Sequence, residues 1–182
     1  AYLFDDIIAK GEIAVDKEAP EWEGIHIEEP NQLKISFNER MNFSNGEYLV
    51  DNGIGTPRVV NVSADDKSAT LIFDRSFEKG VIYSLQVSGI NDIAGNSPSE
   101  LTKWTGIPEA AMPGDLVLNE VMFENADNSV EYVEIYNNSE KVINLKSTTL
   151  TTRKTDGSLN SGHQIATETL MAPRSYAALC SD

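Results

Sequence analysis

Three glutamates in the C-terminal half of the chain have the residue type that glycosidases use for acid–base catalysis: Glu120, Glu131 and Glu134. A glycosidase needs two carboxyl groups about 5–10 Å apart in one cleft, one of them with a raised pKa. Glu131 and Glu134 lie in an alternating stretch, and residues an odd number of positions apart on a strand point to opposite faces. We therefore predict no catalytic residues and no enzyme activity.

Acidic turns offer a second kind of chemistry, the binding of calcium by carboxylate oxygens. Asp5 and Asp6 are adjacent, Asp65 and Asp66 form another pair, and Asp92 belongs to a turn of its own. None of them has the spacing of an EF-hand loop, and adjacent acidic residues in turns are commonly just solvated. We expect no cofactor, and calcium is the one metal worth testing, with Asp5, Asp6 and Asp92 as its candidate ligands.

Two tryptophans, Trp22 and Trp104, are the side chains best suited to stack on sugar rings. They lie near the two ends of the N-terminal half. Adjacent domains pack at the ends of a β-sandwich, so burial against a neighbouring domain is the competing interpretation. The sequence leaves glycan stacking and domain packing both open.

The remaining metal-binding and nucleophilic side chains are few. His26, His163 and the single Cys180 are too scattered for a zinc site or an internal disulfide. The residues before Cys180 indicate a buried strand, so we expect Cys180 to be a core thiol and not a nucleophile.

The charge balance excludes two classes of partner. The chain has 29 acidic and 14 Lys or Arg residues, a net charge of −15, and the acidic excess is found on both sides of Pro108. A uniformly negative surface repels phosphate backbones, so we expect no nucleic acid. No apolar run approaches the ~20 residues of a membrane helix, so we expect no membrane insertion.

Alternation of apolar and polar residues, which is typical of β-strands, runs through the whole chain. The clearest strands in the N-terminal half span residues 33–37, 68–73 and 82–87. Turn clusters such as Ser44-Asn45-Gly46 and Asp51-Asn52-Gly53 separate them. Short strands between regularly spaced turns predict an all-β sandwich.

A Pro- and Gly-containing stretch at 108–114 has the composition of an interdomain linker. After it comes a second set of predicted strands, at residues 116–123, 132–136, 142–145, 148–152 and 175–180. No fixed period relates the two halves, so we predict two different sandwiches, at 19–107 and 115–182.

Residues 1–18 form a separate segment that begins with a strand-like stretch, Tyr2 to Lys10. Its Phe4-Asp5-Asp6-Ile7 pattern resembles the last strand of carbohydrate-binding jelly rolls. One interpretation is a strand left over from a preceding domain. The alternative is an extra edge strand on the first sandwich, because an isolated strand needs a partner.

Residues 19–107 resemble bacterial Ig-like domains of the surface-layer type. The resemblance rests on Ala19-Pro20, on the strand from Leu33 to Met41, and above all on Gly89-Ile90-Asn91-Asp92-Ile93-Ala94-Gly95-Asn96. In that last motif Asp92 and Asn96 can cap their own backbone, and Gly95 permits positive φ. The resemblance implies a spacer module without chemistry of its own.

Residues 115–182 resemble a lamin-tail domain, another Ig-like sandwich. The matching segments are Leu118-Asn119-Glu120-Val121, the strand from Glu131 to Asn137, Ile143-Asn144-Leu145 and the stretch 170–176. Members of that family usually carry further strands after the position of Cys180, and their Trp is replaced here by Thr148 and Thr149. We therefore expect this sandwich to be C-terminally incomplete.

These resemblances predict a non-catalytic structural or adhesion module pair of a larger bacterial protein. The expected place is extracellular or in the cell envelope, and the expected partners are neighbouring domains, other surface proteins or glycans. The alternative is a polysaccharide-binding accessory region of a secreted hydrolase. Exposed, coplanar aromatic rings favour this alternative, and buried tryptophans favour the spacer.

Overall fold

The computed structural model describes residues 16–122 and 131–180, and within these ranges the chain forms short β-strands and no helix. The predicted N-terminal strand, with Asp5 and Asp6, lies outside the described residues. The strands fall into an N-terminal module, β1–β9, and a C-terminal module, β10–β16. The prediction of an all-β chain with tandem sandwich modules is confirmed.

The N-terminal module is a sandwich of two antiparallel sheets, ordered β1-β2-β6-β5 and β4-β7-β9, with a short β3–β8 pair. Its strands are β1 (Trp22–Glu29), β2 (Gln32–Phe37), β3 (Met41–Asn42), β4 (Glu47–Val50), β5 (Val59–Val62), β6 (Ser68–Ile72), β7 (Tyr83–Ser88), β8 (Asn91–Asp92) and β9 (Thr102–Thr105).

The core of the N-terminal module follows from the period-2 pattern. Leu33, Ile35 and Phe37 alternate along β2 and are each 0% exposed. Leu71 of β6 and Leu85 of β7 are buried equally deeply, and they belong to opposite sheets. Interdigitation of the two inner faces therefore forms one continuous apolar layer.

The C-terminal module has a three-stranded sheet ordered β10-β11-β16 and two small strand pairs, β12–β15 and β13–β14. Its strands are β10 (Leu116–Met122), β11 (Tyr132–Asn137), β12 (Ile143–Asn144), β13 (Thr149–Leu150), β14 (His163–Gln164), β15 (Leu170–Met171) and β16 (Tyr176–Cys180). Its buried core is smaller and consists of Ile135, Ile143, Leu145 and Met171.

Cys180 lies at the end of β16 and is exposed. The predicted strand is present, but the prediction of a core thiol is wrong. Among the described residues β16 is an edge strand whose side chains alternate between exposed and half-buried. Cys180 pairs with Tyr132 in the register, on the face turned away from the core residue Ile135.

The connection between the modules is packed and hydrogen-bonded. Val142, in the loop between β11 and β12, is 0% exposed. Its carbonyl accepts a hydrogen bond from the Glu109 N–H at 2.7 Å. A Cβ added at Gly106 would lie 2.7 Å from Val142 Cγ2 and 3.0 Å from the carbonyl oxygen of Val81. Only a residue without a side chain fits here unless a neighbour moves.

Within the described ranges, no helix has the length and apolar character needed to cross a membrane.

Candidate functional sites

Three carboxylates meet at one end of the N-terminal module: Asp16, Glu39 and Asp92. One oxygen of each lies within 4.8 Å of the others. Asp16 precedes β1, Glu39 joins β2 to β3, and Asp92 is in β8, which pairs with β3 through Met41. The fold therefore brings together residues that are far apart in sequence.

Asp92 is held by the turn that follows it. Its Oδ1 accepts the backbone N–H groups of Gly95 at 2.6 Å and Asn96 at 2.8 Å, and its Oδ2 accepts Asn96 Nδ2 at 2.7 Å. Gly95 has φ of +98°, as the turn requires. The predicted backbone capping is confirmed for Asp92, whereas the Asn96 side chain donates to the Asp92 carboxylate.

The turn also sets the charge state of Asp92. Burial by itself raises the pKa of a carboxyl, but the hydrogen bonds from Asn96, Gly95 and Ala94 outweigh it and leave the pKa of Asp92 lowered. Asp92 is only 2% exposed, so it is a buried carboxylate whose charge is stabilised by donors from its own loop.

The pKa of Glu39 is shifted in the opposite direction and is raised. Desolvation is the largest cause that raises its pKa, and the negative charges of Asp92, Asp16 and Glu18 raise it further, while Lys67 partly opposes them. Like charges at this separation disfavour ionisation. Burial and its acidic neighbours therefore disfavour the ionised form of Glu39.

Carboxylate oxygens at this spacing are the donors that calcium prefers. Sequence reasoning named Asp92 but missed Asp16 and Glu39, because no local spacing links the three. Asp65 and Asp66 have other partners within the protein. Asp65 accepts hydrogen bonds from Ser63 and Lys67 within its own turn, and Asp66 pairs with Arg40 at 2.7 Å. Calcium binding stays a prediction.

The two tryptophans lie on different sheets. Trp22 of β1 is half-buried, packs on Phe37 with ring centroids 4.5 Å apart, and donates from Nε1 to the carbonyl of Glu100 at 2.9 Å. Trp104 of β9 is 41% exposed and pairs with Ser84. They do not share a sheet face on which one sugar chain could stack, and glycan binding by either stays a prediction.

Comparison with known families accounts for both modules. Residues 10–105, more than half of the chain, match the model of the bacterial Ig-like domain. The chain belongs to the bacterial Ig-like domain family. Residues 109–182 match the Lamin Tail Domain model, so a lamin-tail module follows the Ig-like module, as predicted. No curated protein matches the chain.

Solved structures of a surface layer protein show distant similarity. The alignment with "Structure of surface layer protein SbsC, domains 1-6" has 15% sequence identity and a TM-score of 0.43. It covers 91% of this chain and 33% of the surface layer protein chain. "Crystal structure of the S-layer protein rSbsC(31-844)" is 14% identical with a TM-score of 0.42 and the same coverage. "Crystal structure of the N-terminal part of the bacterial S-layer protein SbsC" is 18% identical with a TM-score of 0.41 and covers 90% and 44%. This chain thus spans less than half the length of each.

The three candidate glutamates of the lamin-tail module lie on or beside its sheet. Glu120 and Glu134 are directly opposite each other in the β10–β11 register. Asn119 donates to Glu134 Oε1 at 2.6 Å, and a hydrogen bond with Glu120 raises the pKa of Tyr132. Glu120 and Glu131 are exposed. Among the described residues, these glutamates lie on an open sheet surface and not in the cleft that a glycosidase pair needs.

Proposed function

We propose that the chain is a non-catalytic pair of structural modules from a larger bacterial cell-surface or secreted protein. Its role is to hold neighbouring domains at a fixed spacing and to present its sheet edges and end loops to partners. The observation that carries this proposal is the packed connection between the Ig-like and lamin-tail modules. A spacer that sets distance needs a stiff joint, and a flexible Gly/Ser-type linker would not supply one.

Two sets of contacts support a stiff joint. At the connection itself, Val142 is fully buried and its carbonyl accepts the Glu109 N–H. Close by, Lys141 Nζ pairs with Asp115 at 2.6 Å; this contact lies within the lamin-tail module and fixes the loop that carries Val142. Both carboxylate and ammonium are largely shielded from solvent, so this pair orders its segment better than a fully exposed one.

A second contact joins the modules away from the connection. His26 Nδ1 of β1 lies 3.6 Å from Glu168 Oε1 of the lamin-tail module. The same Glu168 oxygen accepts Asn144 Nδ2 at 3.1 Å. Both partners of the His26–Glu168 contact are about 40% exposed, so it contributes little energy. Its value is geometric, because a second point of contact restricts rotation about the first.

The alternative is a polysaccharide-binding accessory region, and one observation favours it: the exposed ring of Trp104. Retention of the chain on an insoluble polysaccharide, lost in Trp104→Ala, would support this alternative. Trp22→Phe serves as the control, because it keeps a ring packed on Phe37.

The spacer proposal is tested by a distance measurement between the modules. Cys180→Ser removes the native exposed thiol, and Asn61→Cys with Ser158→Cys then places one spin label on an exposed site of each module. Electron–electron double resonance should give one narrow distance distribution. A broad distribution, as wide as for two freely jointed domains, would overturn the proposal.

A further inference from the structure

An open groove runs along one side of the Ig-like module, between β4 and β5. Cavities of about 580 and 710 Å³ lie along it, and Gly46 and Val60 line both. β4 ends the order β4-β7-β9, and β5 ends the order β1-β2-β6-β5. Within the described residues both are edge strands, so two strand edges border the groove.

β4 turns free backbone groups toward the groove. Asp51 N–H donates to the Ser84 carbonyl of β7, so the odd-numbered residues of β4 bond to β7. The backbone N–H and C=O of Val50 point away from β7, because they exchange two hydrogen bonds of 2.9 Å with the backbone of Gly55. Tyr48 has the same parity as Val50. Its N–H and C=O therefore point away from β7, where a further strand can pair with them.

β5 presents the same kind of edge. Ser63 N–H donates to the Ser68 carbonyl, and that register makes Val59 and Asn61 the residues that bond to β6. The backbone groups of Val60 and Val62 then point outward. Both sides of the groove thus offer donors and acceptors of strand type.

These edges lack the usual protection against pairing. Natural edge strands carry Lys, Pro or a bulge that discourages another strand. β4 reads Glu-Tyr-Leu-Val and β5 reads Val-Val-Asn-Val. Leu49 is 50% exposed, Val59 38% and Val62 45%. Short edges that carry no Lys, Arg or Pro and expose apolar side chains fit a strand that gains a partner.

Charge indicates what kind of partner fits. Among the residues that line the two cavities are Glu47, Asp66 and Asp92, and no Lys or Arg. Asp66 pairs with Arg40, and the Asp92 carboxylate is buried and hydrogen-bonded in its own turn, which leaves Glu47 as the accessible carboxylate at the groove. A partner with Lys or Arg beside its apolar residues is complementary to this surface.

Tyr48, one of the lining residues, has a buried hydroxyl without a partner in the described part of the chain. The Tyr48 hydroxyl has almost no solvent exposure and no hydrogen bond among the described residues, and Tyr48 lines the first cavity. Native structures seldom leave such a group unpaired, and exceptions often mark functional surfaces.

We propose that this groove binds an extended, basic segment of another polypeptide, which adds to β4 as a further strand. The backbone of the segment pairs with the N–H and C=O of Tyr48, its small apolar side chains cover Val60 and Val62, and a Lys or Arg meets Glu47. This is recognition by β-strand addition, in which backbone bonds give affinity and side chains give selectivity. It deepens the interaction role proposed above and does not depend on the stiffness of the joint.

Three synthetic peptides titrated into the ¹⁵N-labelled full chain test the proposal. The first alternates Val and Thr and has Lys at both ends, the second replaces Lys with Glu, and the third replaces alternate residues of the first with Pro. We expect the Lys peptide to shift the amides of Tyr48, Val60 and Val62 saturably, with a Kd below about 1 mM. The Glu peptide should bind at least about 10-fold more weakly than the Lys peptide, because its like charges repel the groove. The Pro peptide should not bind.

A matched pair of variants locates the binding. Glu47→Gln removes the carboxylate that a Lys or Arg of the segment meets, and Glu47→Asp keeps that negative charge. We expect Glu47→Gln to weaken binding of the Lys peptide about 3-fold relative to Glu47→Asp, because one ion pair at a partly exposed site is lost. Failure of the Lys peptide to bind, equal binding of the Pro peptide, or shifts confined to other surfaces would overturn the proposal. So would concentration-dependent shifts without peptide, because they would show a second copy in the groove.

This test is independent of the spin-label experiment. A narrow intermodule distance distribution without peptide binding would support the spacer proposal and overturn the groove proposal. Peptide binding with a broad distance distribution would support the groove proposal and overturn the spacer proposal.

Discussion

Val142 of the lamin-tail module packs against Gly106 of the Ig-like module, and a Cβ at Gly106 would lie only 2.7 Å from Val142 Cγ2. Close approach of backbone to side chain is a common reason for glycine at a structural position. The pair makes the end of one module part of the packing of the other. Loss of this contact should therefore affect the coupling of the modules more than either core.

Val142→Ala should destabilise the chain by about 2 kcal/mol, because it deletes two buried carbon atoms and leaves a void at the connection. The matched control is Val62→Ala, since Val62 is 45% exposed and its truncation should change the free energy of unfolding by less than about 0.5 kcal/mol. Urea denaturation measures both. Equal effects of the two substitutions would show that Val142 is not buried at the joint.

Tyr48→Phe should leave the chain equally stable or raise its free energy of unfolding by up to about 1 kcal/mol, because it removes a buried hydroxyl that has no partner. Tyr83→Phe is the control. The Tyr83 hydroxyl accepts the Glu78 N–H at 2.8 Å, so its loss should cost about 1 kcal/mol. A larger loss for Tyr48→Phe than for Tyr83→Phe would mean that the Tyr48 hydroxyl has a partner in solution.

Asp92 should supply part of the acid dependence of stability. Its pKa is lowered in the folded chain, so its contribution is fully present above the unfolded pKa of about 3.9 and is lost as the pH falls through the folded pKa. Asp92→Asn should lower the Tm at pH 7, and the gap to the wild type should close as the pH falls below about 4. Asp74→Asn, at an exposed site, is the control and should leave the dependence of Tm on acidic pH as in the wild type. A gap that stays constant with pH would contradict the account of this turn.

Glu39→Gln should raise the Tm at pH 7 in buffer with chelator. The folded pKa of Glu39 is raised, so its ionisation opposes folding above that pKa and the gain should vanish as the pH falls below the unfolded value, about 4.3. Added NaCl should shrink the gain, since it screens the repulsion from Asp16 and Asp92. The opposite result, a lower Tm for Glu39→Gln in calcium buffer only, would show that the cluster holds a cation.

Local patterns predicted the parts of this fold that depend on neighbours in sequence. Alternation along Leu33 to Phe37 gave a strand with its buried face, and the Asp92–Asn96 motif gave a self-capped turn. Both depend on residues within a few positions of each other. Both patterns lie within residues 10–105, which match the bacterial Ig-like domain model.

What the sequence could not predict depends on contacts between distant segments. Glu39 lies near Asp92 because β3 pairs with β8, and Asp16 is held nearby because Asn96 Nδ2 donates to its carbonyl at 3.3 Å. Val142 is 0% exposed and lies beside Gly106 of the Ig-like module, a contact between distant segments that no local pattern signals. Cys180 lies on β16, which is an edge strand among the described residues. The alternation within one strand does not predict the order of the strands in a sheet.

The central claim is that the two modules form one stiff unit. Residual dipolar couplings of the full chain in a dilute aligning medium test it most directly, because each module reports its own alignment tensor. The stiff joint predicts one tensor, equal in magnitude and orientation for β1–β9 and β10–β16. Tensors of clearly different magnitude would show that the modules reorient independently, and the spacer account would then be wrong.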